Sequence, residues 1–223
     1  MSIAENIKKL IEELPQGVTM VAVTKTRSPE EVMEAYNAGL RVFGENRVQE
    51  LISKKALLPE DITWHLIGHL QSNKVRQAVA AADMIESVDT LKLLRMIDAE
   101  ASAQGRTIDC LLQVQIASEE TKSGFSIREM EETRWNELAG SLKAVRICGL
   151  MGMATFTDDL LKVRTEFKNL ADLFRHIRDY HFTGISHFRE ISMGMSGDWQ
   201  VAVGEGSTMI RVGTIIFGER IKK

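Results

Sequence analysis

One feature constrains this chain more than any other: apolar, β-branched runs and amphipathic helical patterns take turns along its length. The runs lie near 18–24, 41–44, 63–68, 84–88, 109–117, 145–153, 190–194 and 209–217. Helical signals separate them. "SPEEVMEAYNAG" has Ser28 as N-cap, Pro29 at the first helical position, Glu31 to complete a capping box and Gly39 as the stop. "SIREMEETRWNELAG" repeats the device with Ser126 and Glu129, and Val163, Phe167, Leu170, Phe174 and Ile177 keep a helical stripe. Asn-Gly hairpin turns are absent, which argues against an antiparallel sheet. Eight strands each followed by a helix or turn predict a (β/α)8 TIM barrel, although a doubly wound open sheet uses the same alphabet. No GxGxxG follows the first run, so dinucleotide binding is unsupported. Ile3, Ile7, Leu10, Ile11 and Leu14 form one further stripe, an additional N-terminal helix ahead of the barrel.

Composition bounds the function classes. With 223 residues and no linker-like break, a single domain over 1–223 is expected. A net charge of −3 leaves no basic footprint for nucleic acid or an anionic membrane. The apolar runs are too short to span a bilayer, and the first residues lack a signal-peptide core. Cys110 and Cys148 each fall inside an apparent strand and read as buried reduced thiols, so a cytoplasmic protein is expected.

In a barrel of this kind chemistry belongs at the strand ends. Lys25 closes the first run, where partial desolvation by Val21 and Val23 would favour the free amine that Schiff-base formation needs. By itself, a lysine that closes a strand is most often a solvated flank. "SMGMSGD" supplies Ser196 as a helix cap and "RVGT" supplies Gly213 and Thr214, in the two strand regions where barrels commonly bind phosphate. Arg211 shares a strand face with Gly213 and could reach the same mouth. Glu45 and Asn46 end the second strand as mouth residues or helix caps. His65 and His69 lack the further ligands a metal would need, so no metal is expected. Met151, Met153, Met193 and Met195 read as barrel filler. Lys122, in a polar loop, reads as solvated or as a phosphate attractor.

Taken together, "VAVTKT", "FGENRVQE", "IGHLQSNK", "TKSGF", "GLMGMA", "SMGMSGD" and "RVGTIIFG" resemble the pyridoxal phosphate homeostasis protein family, in order from residue 21 to 218. The resemblance implies a barrel like the N-terminal domain of alanine racemase, holding pyridoxal 5′-phosphate (PLP) as a Schiff base. It implies Lys25 as the covalent anchor, Ser196, Gly213 and Thr214 around the phosphate, Arg211 facing the ring nitrogen, and Asn46 near the ring. The implied role is a carrier that buffers PLP or hands it to PLP-dependent apo-enzymes, as a monomer or weak homodimer, and not an enzyme. The alternative is a PLP-dependent amino-acid racemase. Against it stand a chain that stops soon after the eighth strand, poorly placed Tyr36 and Tyr180, and a cation opposite the ring nitrogen. A PLP-free isomerase acting on a phosphorylated metabolite is a third reading.

Overall fold

Eight parallel strands pair in sequence order and the last returns to the first, closing a barrel in the computed structural model, which describes residues 2–118 and 123–219. The strands are β1 (Thr19–Val23), β2 (Val42–Glu45), β3 (Thr63–Leu66), β4 (Met84–Val88), β5 (Ile108–Val114), β6 (Val145–Gly152), β7 (Glu190–Ser192) and β8 (Met209–Val212). Around them run α1 (Ile3–Glu13), α2 (Pro29–Asn37), α3 (Val48–Lys55), α4 (Val75–Ala81), α5 (Leu91–Ala103), α6 (Ile127–Glu132), α7 (Trp135–Ser141), α8 (Leu160–His181), α9 (Trp199–Gly204) and α10 (Thr214–Phe217). A 3-10 turn at Ser72–Lys74 leads into α4. Among these elements, no helix is long and apolar enough to cross a membrane.

Local sequence explains several of the boundaries. The Ser28 hydroxyl accepts the Glu31 N–H while the Glu31 carboxylate takes the Ser28 N–H, and Ser2 with Glu5 does the same for α1. Val21, Met84, Leu111, Met151 and Met209 meet inside the barrel, whereas the larger apolar layer lies between strands and helices. Gly149 lies at a register shift between β5 and β6 with φ of +152°. A Cβ there would stand 1.8 Å from the Glu190 carbonyl oxygen, so no side chain fits.

Four details differ from the sequence pattern. The apolar run 209–217 is not one strand: β8 ends at Val212, and Thr214–Phe217 turns into α10, burying Ile216 and Phe217. "SIREMEETRWNELAG" breaks into α6 and α7, because Trp135 is buried with its indole N–H donating to the Met130 carbonyl at 2.7 Å. Ile11 lies on the outer flank of α1 and is half exposed, while Ile7 and Leu10 are buried. Of the four methionines, Met151 fills the barrel interior and Met193 packs in the outer layer; Met153 and Met195 line a cavity.

Candidate functional site

The carboxyl ends of the strands enclose a cavity of about 590 Å³, within the range that holds small-molecule ligands. Lys25, Asn46, Ser196, Arg211, Gly213 and Thr214 all line it. These residues come from the ends of β1, β2, β7 and β8, so only barrel closure brings them together.

The backbone around Lys25 is held firmly on its outer side. Thr24 is fully buried, and its hydroxyl donates to Glu45 Oε1 at 2.6 Å. Lys54 of α3 donates to the Thr24 carbonyl at 2.6 Å and pairs with Glu45. Burial pushes the Glu45 carboxyl above its ordinary range, against the opposing pull of Lys54 and Thr24. Glu45 therefore faces the helical layer, not the mouth. After Lys25, Thr26 adopts φ of +66°, an unusual conformation for a β-branched residue, and its N–H donates to Glu50. Arg27 then donates to the Gly218 carbonyl and lies 5.6 Å from the centre of the Phe217 ring, tying this loop to α10.

Ser196 does not cap α9, whose N-cap is Asp198. Its hydroxyl oxygen instead accepts the N–H groups of Gly213 at 3.2 Å and Ile215 at 3.4 Å. A hydroxyl and the first N–H groups of α10 thus converge on one wall of the cavity. Among the described residues, Asn46 Oδ1 is buried without a hydrogen-bond partner, which leaves an acceptor available for a ligand donor.

Arg211 enters the cavity from below, where a polar chain crosses the barrel. Its Nη1 donates to Ser192 Oγ at 2.5 Å, Nη2 donates to the Gly152 carbonyl at 3.0 Å, and Ser192 Oγ donates to Glu86 Oε2 at 2.5 Å. His65 Nδ1 lies 2.7 Å from Glu86 Oε1. Burial would raise the Glu86 carboxyl, but His65, Arg211 and Ser192 together outweigh it and hold the group below its ordinary range. Burial lowers the Arg211 guanidinium, with Glu86 and Asp198 opposing.

His65 belongs to this interior chain, whereas His69 lies beyond the end of β3 and pairs with Asp89. Among the described residues no group of acidic, histidine and cysteine side chains is placed to hold a metal. Lys122 lies outside the described residues. Sequence reasoning missed Arg27, Asp198 and the loop after β6, where Thr155, Phe156 and Asp158 line the cavity. It also missed Glu86, although a carboxylate inside the buried strand "MIESV" is a legible sign of a paired charge.

Comparison with known proteins gives consistent relatives. Residues 1–221 match the family model of the alanine racemase N-terminal domain. The pyridoxal phosphate homeostasis protein of Aquifex aeolicus is 36% identical over 222 residues, covering 98% of this chain and 95% of its own. Its counterpart in Synechocystis is 39% identical over 219 residues, covering 96% of each. The structure of PipY from Synechococcus elongatus with PLP bound superposes with a TM-score of 0.87 at 38% identity, over 97% of this chain and 100% of that one. An alanine racemase from Clostridium difficile shares the fold at a TM-score of 0.73 and 13% identity, covering 100% of this chain and 57% of the racemase.

Proposed function

The chain belongs to the pyridoxal phosphate homeostasis protein family, and on that premise we propose that it binds PLP in the strand-end cavity and buffers or delivers the cofactor. The observation that carries this reading is the convergence on one cavity of an amine, Lys25, and a hydroxyl-plus-amide cradle at Ser196, Gly213 and Thr214. The fit is chemical as well as spatial. Both N–H contacts to Ser196 Oγ are long, and a phosphate oxygen is a stronger acceptor for such donors. The partnerless Asn46 Oδ1 suits a ring hydroxyl.

PLP, when bound, supplies an aldehyde and an electron-withdrawing ring. Lys25 would offer its amine to that aldehyde as the covalent anchor. Ser196, Gly213 and Thr214 would hold the phosphate, Arg211 would present its cation to the ring nitrogen, and Asn46 would meet the ring edge.

Carrying, and not racemisation, is supported by where the tyrosines lie. Tyr36 donates to Asp61 at 2.8 Å on the outer layer, and Tyr180 is exposed on α8. Neither lines the cavity, so neither supplies the second acid–base group that racemisation needs.

The test starts with colour: purified protein incubated with PLP is expected to turn yellow, and borohydride followed by peptide mapping should leave a pyridoxyl group on Lys25. Lys25→Ala should fold and fail to be labelled; label on Lys74 alone would move the anchor. Holo-protein mixed with a PLP-dependent apo-enzyme should restore that enzyme's activity. Rapid deuterium exchange at Cα of alanine, abolished by Lys25→Ala, would favour the racemase.

A further inference from the structure

Arg211 is nearly fully buried, at 4% exposed, yet it lines the cavity, so part of its guanidinium serves the site and part serves the barrel interior. The interior part is fixed from three strands. Gly152 of β6 takes one N–H, Ser192 of β7 takes another, and Glu86 of β4 stands 3.8 Å from Nη1 as counter-charge. The Ser192 proton goes to Glu86, so the serine lone pairs are turned toward Arg211. The polarity of that hydroxyl is thus set by a carboxylate across the barrel. His65 occupies the other Glu86 oxygen and leaves it little freedom to turn. Glu86 and Ser192 are 0% exposed and do not line the cavity. A bound molecule would touch neither of them.

We propose that Glu86 and Ser192 are positioning residues, which hold the Arg211 guanidinium in the orientation that recognises the ring nitrogen of a pyridine cofactor. The inference rests on the PLP reading above and extends it from the residues at the cavity wall to the pair behind them. An uncompensated guanidinium in this interior is strongly disfavoured, and without the carboxylate Arg211 has reason to turn toward other acceptors. Its charge would survive such a turn. Its aim at the ring nitrogen would not.

The discriminating measurement compares PLP with its 1-deaza analogue, which keeps aldehyde, ring hydroxyl and phosphate but has carbon in place of the ring nitrogen. Affinities are read by calorimetry and by the absorbance of the bound aldehyde. The intact protein should prefer PLP by about tenfold or more, the scale of one hydrogen bond to a charged group. Glu86→Gln and Ser192→Ala should each lose most of that preference while binding the analogue nearly as tightly as before. A purely structural role would weaken both ligands together, and that result overturns the proposal. So does a preference kept intact in the variants, or absent from the intact protein. If the intact protein binds neither ligand, the PLP reading itself fails and the inference goes with it. Ser192→Ala removes one hydroxyl only, and it carries the test should Glu86→Gln not fold.

Discussion

Ser196 occupies a small but decisive place, because its single oxygen is where two backbone donors of the α10 turn meet. Replacing it by alanine frees those donors but removes the hydroxyl that a phosphate would use. Ser196→Ala and Thr214→Ala should therefore each weaken PLP by about tenfold or more and weaken pyridoxal, which lacks the phosphate, much less. Calorimetry with both ligands decides; equal losses would place the phosphate elsewhere. The cysteines show the opposite case of residues made inert by their setting. Burial, with Asp109 adding to it, pushes the Cys148 thiol up to about 12, and burial also raises Cys110. A thiol disulfide reagent at pH 8 should find neither in the native protein and both after unfolding. Rapid native labelling would contradict that burial.

At the level of elements, the connection from β1 into α2 does most to place Lys25. Ser28 ends that connection with a reciprocal cap, so Ser28→Ala should cost about 1 kcal/mol and lower the melting temperature. An unchanged melting curve would show that tertiary contacts alone hold the helix start. The same connection illustrates what was legible in the sequence. Ser28, Pro29 and Glu31 announce the helix because capping is a local transaction between neighbours. The run 209–217 misled because a short apolar stretch reads alike as strand or buried helix, and only Gly213, with φ of −128° and ψ of −63°, turns it. Cavity-lining residues carried by motifs, such as Lys25 and Arg211, stood out. The Glu86–Ser192 contact did not, since a separation of 106 residues is bridged only by barrel closure. Arg27 escaped for the same reason: its partner Gly218 is 191 residues away.

On the scale of the whole molecule, the barrel is unevenly stitched. β5 and β6 pair at every position from Ile108 to Val114, whereas β7 and β8 share one paired position, Ser192 with Met209. Bonds from Met193 to the Met209 carbonyl and from Arg211 to the Gly194 carbonyl reinforce that thin seam. Amide exchange should accordingly run faster through 190–194 and 209–213 than through β5 and β6, as mass spectrometry of deuterated peptides would read. Faster exchange in β5 and β6 would contradict the ladder pattern. The cavity's cradle stands on this seam, with Ser196 following β7 and Gly213 following β8. A ligand that gripped both residues would act as the clasp of a hoop at its narrowest link. Filling the cavity would then tighten the ring, and emptying it would let the hoop slacken.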